Sequence, residues 1–334
     1  MKHQHTPPSP TTSLAGTPGG SPTESICVQL ITSARESFLI NDYQAALEYA
    51  SKAKSLSASC VEADILRAQC FQNLGDLNSA IQAAREALRH DPNSLQAKSV
   101  LDSFPQSQHH ESKTTDTHTI RMIRDAQNHT MVGQERLENL VTLINRIAEA
   151  QTPGIFVECG VAGGGSLALI ACAAHHNQLH NRMIYGFDTF SGMPEPTDLD
   201  TAGSIPAQST GWGQGTCAAP LESVEQVLVN SGISDSVTLI PGRFEDTLPT
   251  FTSQLASTNT KIAMLHADGD WYSSTHAIFT HLAPHLSPGA LIQIDDYGHW
   301  DGCRRATDEY LSKHAPDIAL HPIDYTGRWI QWPS

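Results

Sequence analysis

Five apolar runs, separated by longer stretches with helical spacing, constrain the fold of this chain more than any other feature. The runs lie at 154–160, 183–188, 236–242, 261–268 and 289–296. Regular alternation of strand and helix favours an α/β fold, in which a mostly parallel sheet carries helices on both faces. A helix is predicted over 134–150, and the closing segments IALHPID and GRWIQW predict an antiparallel hairpin at the sheet edge.

The first third of the chain follows a different pattern. Residues 1–24 are rich in Pro, Ser, Thr and Gly and predict a disordered tail. Over 25–101 the spacing is helical, and alanines recur 34 residues apart in the pairs Ala46 and Ala80, Ala50 and Ala84, and Ala53 and Ala87. This period resembles tetratricopeptide repeats, which predicts an all-α module able to bind a protein partner. Polar residues 102–118 predict a linker, which leaves 119–334 as the domain that contains the sheet.

Charge and composition exclude several classes of function. The 334 residues carry 20 Lys and Arg against 35 Asp and Glu, a net charge of -15. Without a basic patch, such a chain repels phosphate backbones and anionic lipids, so neither a nucleic acid nor a membrane is an expected partner. No apolar run reaches the roughly 18 residues of a membrane helix, and no signal peptide is evident, so a cytoplasmic location is predicted.

A glycine-rich loop follows the first predicted strand. Glu158 and Gly160 precede Ala162, and Gly163 and Ser166 lead into the next helix. Glycines allow the backbone to approach a bound nucleoside closely. Ala162 occupies a position where a dinucleotide fingerprint requires glycine, which argues against NAD. An acid that closes the first strand before Gly-x-x-Gly-Gly is similar to the S-adenosylmethionine loop of class I methyltransferases.

Two further strand ends carry candidate nucleoside contacts. Asp188 could accept hydrogen bonds from both hydroxyls of an adenosine ribose, or could be an exposed turn residue. Phe244 could cover the adenine face, or could belong to the core. Trp212, in a Gly-rich stretch between strands, could stack on a sugar ring or anchor its loop.

Four acids end the last two parallel strands. Asp268 and Asp270 follow one strand, and Asp295 and Asp296 follow the next. Carboxylates that converge in this way repel one another unless a cation neutralises them or they take up protons. All-oxygen ligands suit Mg²⁺ above all, with Ca²⁺ or Mn²⁺ as alternatives. Helix capping could account for one or two of these acids.

The motifs VECGV-xxGGS, YGFDTFSGMP, GRFEDTLP, HADGDWYSST and IDDYGHWDGC occur in the order and spacing of a known family. Together they resemble TylF-type macrocin O-methyltransferases, which methylate sugar hydroxyls, from about Thr130 to the C-terminus. The resemblance implies a Rossmann-like class I methyltransferase sheet, homo-oligomers and two cofactors, S-adenosylmethionine and Mg²⁺. It implies that Asp268, Asp295 and Asp296 are the metal ligands and that Asp270 is the general base. The predicted cofactor-binding set is Met131, Glu158, Gly160, Val161, Ser166, Asp188, Phe244 and Asp268.

The predicted function is Mg²⁺-dependent methyl transfer to a hydroxyl of a sugar or glycosylated small molecule. His299 is an alternative to Asp270 as the base, whereas His266 is expected to be a core residue. Many relatives carry bulkier residues at Ala162 and Gly163, so a more open cofactor loop is expected here. An aromatic diol is the alternative acceptor, and an inert methyltransferase fold that serves as a repeat-bearing scaffold is the alternative from another class.

Overall fold

A mixed seven-stranded sheet forms the centre of the C-terminal part of the computed structural model. The structure describes residues 22–333 apart from 58–59, 75–76, 92, 103–115 and 204. The strands of this sheet and of a separate small hairpin, β3 with β4, are β1 (Ile155–Cys159), β2 (Ile184–Asp188), β3 (Thr201–Ala202), β4 (Ile205–Pro206), β5 (Val237–Pro241), β6 (Ile262–Ala267), β7 (Leu286–Ile294), β8 (His321–Pro322) and β9 (Arg328–Gln331).

The strand order is β5-β2-β1-β6-β7-β9-β8. Neighbours from β5 to β7 pair in parallel, and β9 pairs antiparallel with both β7 and β8. The predicted parallel sheet and closing hairpin are therefore confirmed. Because the chain leaves β1 toward β2 on one side and returns as β6 on the other, a crevice opens at the carboxyl ends of β1 and β6.

Helices cover both faces of the sheet, and their apolar spacing explains how. Alternate residues of β1 point to opposite faces: Val157 lies in a core with Phe251 of one helix layer, and Phe156 lies in a core with Leu140 and Leu167 of the other. The helices that flank the sheet are α6 (Thr117–Gln127), α7 (Gln134–Ala150), α8 (Gly165–His176), α9 (Leu221–Asn230), α10 (Phe244–Thr258), α11 (Tyr272–Leu282) and α12 (Asp301–His314).

The N-terminal helices pack on one another in chain order, each against the next. Their bounds are α1 (Pro22–Leu39), α2 (Tyr43–Leu56), α3 (Val61–Leu74), α4 (Leu77–His90) and α5 (Leu95–Asp102). All six alanines of the repeating pairs are completely buried, which explains why small residues recur at these positions. Among the described residues, no helix is both long and apolar enough to cross a bilayer.

Two predicted boundaries differ from the structure. Helix α1 begins at Pro22, so residues 22–24 are helical rather than part of a tail, and proline is tolerated in a first helical turn. Helix α6 begins at Thr117, inside the predicted linker, because the Asp116 carboxylate accepts hydrogen bonds from the backbone N–H groups of His118 and Thr119. Residues 1–21 of the predicted tail and 103–115 of the predicted linker lie outside the described residues.

Candidate active site

A cavity opens at the carboxyl ends of the parallel strands, where the strand order reverses. Its walls also include Thr130 to Val132, which precede α7, and residues between β2 and α9. Most residues predicted as cofactor, metal or catalytic groups line it, namely Met131, Gly160, Val161, Ser166, Asp188, Phe244, Asp268, Asp270, Asp295, Asp296 and His299.

The turn after β1 is held in place from two sides. The Asp188 Oδ2 atom accepts hydrogen bonds from the backbone N–H groups of Val161 at 2.8 Å and Ala162 at 2.9 Å. Gly160 has a φ of +98°, and a Cβ atom there would lie 1.9 Å from the carbonyl oxygen of Asp268. Only glycine permits this approach, which brings the turn directly against the acid-rich end of β6.

The expected opening at Gly163 is filled by the chain itself. A Cβ atom at Gly163 would lie 2.6 Å from the carbonyl oxygen of His129. The absence of a side chain therefore lets the segment before α7 lie against the loop. This close contact also brings the nearby Met131 into the cavity wall.

Glu158 is the predicted cofactor residue that does not line the cavity. Its side chain is completely buried, and its Oε1 atom lies 2.7 Å from Nδ1 of His266. The other imidazole nitrogen, Nε2, lies 3.2 Å from Oδ1 of Asp295. Burial by itself lowers the pKa of His266, but the hydrogen bonds to Asp295 and Glu158 raise it to about 9. A protonated His266 thus links β1 to Asp295, and Glu158 acts behind the cavity rather than in it.

Arg136 of α7 is a site residue that sequence reasoning missed. Its Nη1 atom donates to Oδ2 of Asp295, and its Nε atom donates to Oδ2 of Asp324 at 3.0 Å. Burial favours the neutral form of Asp295, yet Arg136 and His266 hold the pKa of this carboxyl below its ordinary value. A charged residue on the apolar face shared by Leu140 and Ile147 was the signal that could have revealed Arg136.

The remaining three acids form a second cluster beside Asp295, since carboxylate oxygens of Asp268 and Asp295 also lie within 4.8 Å of each other. Asp268, Asp270 and Asp296 each present a carboxylate oxygen, and these oxygens lie within 4.8 Å of one another. Burial first, and neighbouring carboxylates second, raise the pKa values of all three, that of Asp296 to about 6. The Oδ2 atom of Asp296 is buried without a hydrogen-bond partner among the described residues. Crowded carboxylate oxygens that repel one another fit a hard divalent cation.

Backbone geometry also singles out Asp270. Its φ of +54° lies in the left-handed region, which a non-glycine residue adopts only where the surrounding structure imposes it. The indole Nε1 of Trp300 donates to Oδ1 of Asp270 at 3.2 Å. Trp300 in turn packs edge-to-face on Trp271, with ring centroids 4.8 Å apart. Asp270 is therefore oriented toward the cavity by a rigid aromatic support.

His299 stands beside this support. Burial first, and the charges of Arg136 and Arg67 second, lower the pKa of His299 to about 4, so its imidazole is neutral at pH 7. Its Nδ1 atom has no hydrogen-bond partner among the described residues. A neutral ring at this place can accept or donate a hydrogen bond to a bound hydroxyl, but it is a weak base.

Part of the cavity lining is apolar and rich in sulfur. The Sγ atom of Cys217 lies 3.9 Å from Sδ of Met131 and 3.7 Å from Sδ of Met193. Trp212 and Phe244 also line the cavity. A cavity lined by both apolar groups and a cluster of acids suits a ligand with one apolar face and one face of hydroxyls.

Comparison with known proteins places this site among methyltransferases. The family model described as macrocin-O-methyltransferase (TylF) matches residues 65–332. The match begins well before Thr130, where the motif resemblance starts, and it therefore includes most of α3 as well as α4 and α5. The prediction that the family resemblance starts only at about Thr130 is therefore wrong.

Three relatives illustrate the likeness. One relative is the 8-demethyl-8-(2,3-dimethoxy-alpha-L-rhamnosyl)-tetracenomycin-C 4'-O-methyltransferase of Streptomyces olivaceus. The two sequences are 34% identical over 200 residues, which cover 60% of this chain and 74% of the relative. The chain is 31% identical over 206 residues, covering 61% and 78%, to the mycinamicin III 3''-O-methyltransferase of Micromonospora griseorubida. The solved structure of the O-methyltransferase NovP matches 64% of this chain and 88% of its own, with 30% identity and a TM-score of 0.55.

Proposed function

We propose that this chain, which belongs to the TylF macrocin-O-methyltransferase family, transfers a methyl group from S-adenosylmethionine to a sugar hydroxyl of a small molecule. The proposed reaction depends on Mg²⁺. The family consists of O-methyltransferases, and two relatives bear the names of enzymes that methylate glycosylated natural products. The observation that carries the proposal is the cluster of Asp268, Asp270 and Asp296 at the cavity wall beside the glycine turn.

The donor would be held at the ends of β1 and β2. The turn from Gly160 to Ala162 approaches the ligand through its backbone. Asp188 also accepts a hydrogen bond from the Phe190 N–H group at Oδ1, which leaves one lone pair on Oδ1 that can accept a hydrogen bond from a ribose hydroxyl. Phe244 would cover the base from the end of β5, and Met131 would add a further apolar contact. These residues would exclude water and hold the methyl group in line with the acceptor oxygen.

The cation would be held by Asp268 and Asp296, with Asp295 as the third carboxylate. When bound, Mg²⁺ would stabilise negative charge on the acceptor oxygen, because a sugar hydroxyl is otherwise a poor nucleophile near neutrality. Although His266 and Gln293 engage Oδ1 of Asp295 and Arg136 engages Oδ2, the Oδ2 atom has a second lone pair. This assignment leaves Asp270, oriented by Trp300, to accept the hydroxyl proton.

The roles of Asp270 and Asp295 can be separated experimentally. Binding of Mg²⁺ and of S-adenosylmethionine is measured by calorimetry, and methyl transfer to mycinamicin III and to a catechol is followed by mass spectrometry. Asp270→Asn should lower kcat by about a hundredfold or more while Mg²⁺ affinity changes little. Asp295→Asn should weaken Mg²⁺ binding. The exposed Asp317→Asn is the matched control and should change neither quantity.

The outcomes distinguish the alternatives. Loss of Mg²⁺ binding in Asp270→Asn and retention in Asp295→Asn would assign the third ligand to Asp270 and refute it as the base. Turnover of the catechol alone would favour an aromatic diol as the acceptor. Failure of the native protein to bind S-adenosylmethionine with or without Mg²⁺ would refute the proposed function and favour the scaffold alternative.

We further propose that residues 25–101 form a tetratricopeptide-like module next to a catalytic domain at 119–334. Support comes from the buried alanine pairs and from the packing of successive helices in chain order. A protein partner for this module, homo-oligomers and a cytoplasmic location stay predictions. Light scattering of the full chain measures the oligomeric state directly.

A further inference from the structure

The N-terminal helices contact the cavity wall through the long segment between β2 and α9. This segment contributes Met193, Trp212 and Cys217 to the cavity lining. Ile205, from the same segment, lies in one buried cluster with Leu47 of α2 and Phe71 of α3. The 3-10 turn Ala207–Ser209 packs against α2. The wall that carries Trp212 is therefore supported by helices outside the sheet domain.

Arg67 of α3 lies at the centre of this contact. Its side chain is completely buried, and its Nη1 atom donates to Oδ1 of Asp64 at 2.9 Å. The guanidinium carbon lies 5.5 Å from the ring centroid of Trp212. The Nε and Nη2 atoms of Arg67 have no hydrogen-bond partner among the described residues. A buried cation with unused donors is stabilised by the negative face of an indole ring, and this attraction orients the ring in return.

The position of Arg67 is itself fixed from behind. Lys54 donates to Oδ2 of Asp64 at 2.6 Å, so the two cations share the carboxylate through different oxygens. Both the Lys54 and Asp64 side chains are buried. Because exchanging these partners would leave a buried charge unpaired, the guanidinium has little freedom to leave the indole.

The turn that carries Trp212 fits this support closely. Gly211 has a φ of +84°, and a Cβ atom there would lie 3.2 Å from Nε of Arg67 and 3.4 Å from Cα of Ser51. A larger residue would push the turn away from α2 and α3.

We propose that Arg67 is a positioning residue which holds the Trp212 indole as the stacking surface for the acceptor, so that the N-terminal helices set acceptor affinity. The inference rests on the proposed function, because the acceptor is taken to have a sugar ring with an apolar face. An indole held in the cavity lining can cover that face while the acids of the same cavity meet the hydroxyls.

The test uses the full chain with Arg67→Met, Arg67→Lys, Trp212→Leu and the double variant Arg67→Met with Trp212→Leu. Arg35→Met is the matched control, since Arg35 is an exposed arginine of α1 that pairs with Glu62. Hydrogen exchange is followed in peptides that cover 205–216 and, as an internal reference, 155–166. Kinetic constants are measured with mycinamicin III, and S-adenosylmethionine affinity by calorimetry.

We expect faster exchange over 205–216 in Arg67→Met, with 155–166 and Arg35→Met unchanged. The acceptor KM should rise about tenfold in Arg67→Met and in Trp212→Leu, with kcat and donor affinity within about twofold. Because both changes remove one interaction, the double variant should be no worse than either single one. Arg67→Lys keeps a cation and should recover part of the affinity.

Unchanged exchange over 205–216 in a folded Arg67→Met protein would overturn the proposal, and so would independent, multiplicative effects on KM. If Arg67→Met does not fold, Trp212→Leu still decides, because it removes no charge: an unchanged acceptor KM would refute the stacking role. If the native protein does not bind S-adenosylmethionine, the proposed function fails. The hydrogen-exchange measurement needs no donor or acceptor, so it still tests the contact between Arg67 and Trp212.

Discussion

The buried ion pairs of Arg136 lead to a quantitative prediction about stability. The Arg136 side chain is 2% exposed and donates to both Asp295 and Asp324. Arg136→Met keeps most of the aliphatic volume but removes the charge from between two buried acids. Removing one partner of a buried ion pair costs about 3–5 kcal/mol, because the other charge stays desolvated. Asp295 would keep His266, and Asp324 would keep the backbone N–H groups of Thr326 and Gly327.

The expected loss is therefore near the lower limit, about 3 kcal/mol in the free energy of unfolding. Urea denaturation at pH 7 in the absence of metal measures it. Arg305→Met is the matched control, because Arg305 makes an exposed pair with Glu309 whose loss should change the stability little. In a double-mutant cycle, Arg136→Met with Asp324→Asn should lose less than the sum of the single changes. A loss below about 1 kcal/mol for Arg136→Met would refute the reasoning that its two pairs are desolvated.

Three further predictions concern the same region. In the metal-free protein, the pKa of His266 is raised from 6.5 to about 9. Its contribution to the free energy of unfolding is therefore fully present below pH 6.5 and is lost as the pH rises through about 9. Denaturation should measure a loss of about 3 kcal/mol over this range, and His266→Gln should flatten the profile. Gly160→Ala should abolish S-adenosylmethionine binding in calorimetry and destabilise the fold by about 2 kcal/mol or more, because the new Cβ would meet the Asp268 carbonyl oxygen. An unchanged affinity for S-adenosylmethionine would contradict this prediction. Asp296→Asn should raise the stability of the metal-free protein by about 1 kcal/mol, because it relieves repulsion between the carboxylates. The same change should remove the stabilisation of the protein by Mg²⁺. A destabilised metal-free variant would argue against a cluster of mutually repelling carboxylates.

Local patterns predicted the elements and the edge of the sheet where ligands bind. The helix over 134–150 and the closing hairpin were predicted because apolar periodicity acts over a few neighbouring residues. The acids after β6 and β7 were expected to converge because parallel strands end at one edge. The start of α1 at Pro22 was missed because tail composition extends into its first turn.

The parallel sheet, the glycine turn and the presence of four acids at neighbouring strand ends could be predicted from local patterns, since these features depend on the order of residues along each strand. The pairing of the charges depends on the folded structure instead. Arg136 and Asp295 are 159 residues apart, and Glu158 and His266 are 108 residues apart, so no local pattern selects one partner over another. Folding brings these groups together in a buried interior, where each must find an opposite charge, and it thereby pairs Asp295 with Arg136 and His266 at the edge of the cavity.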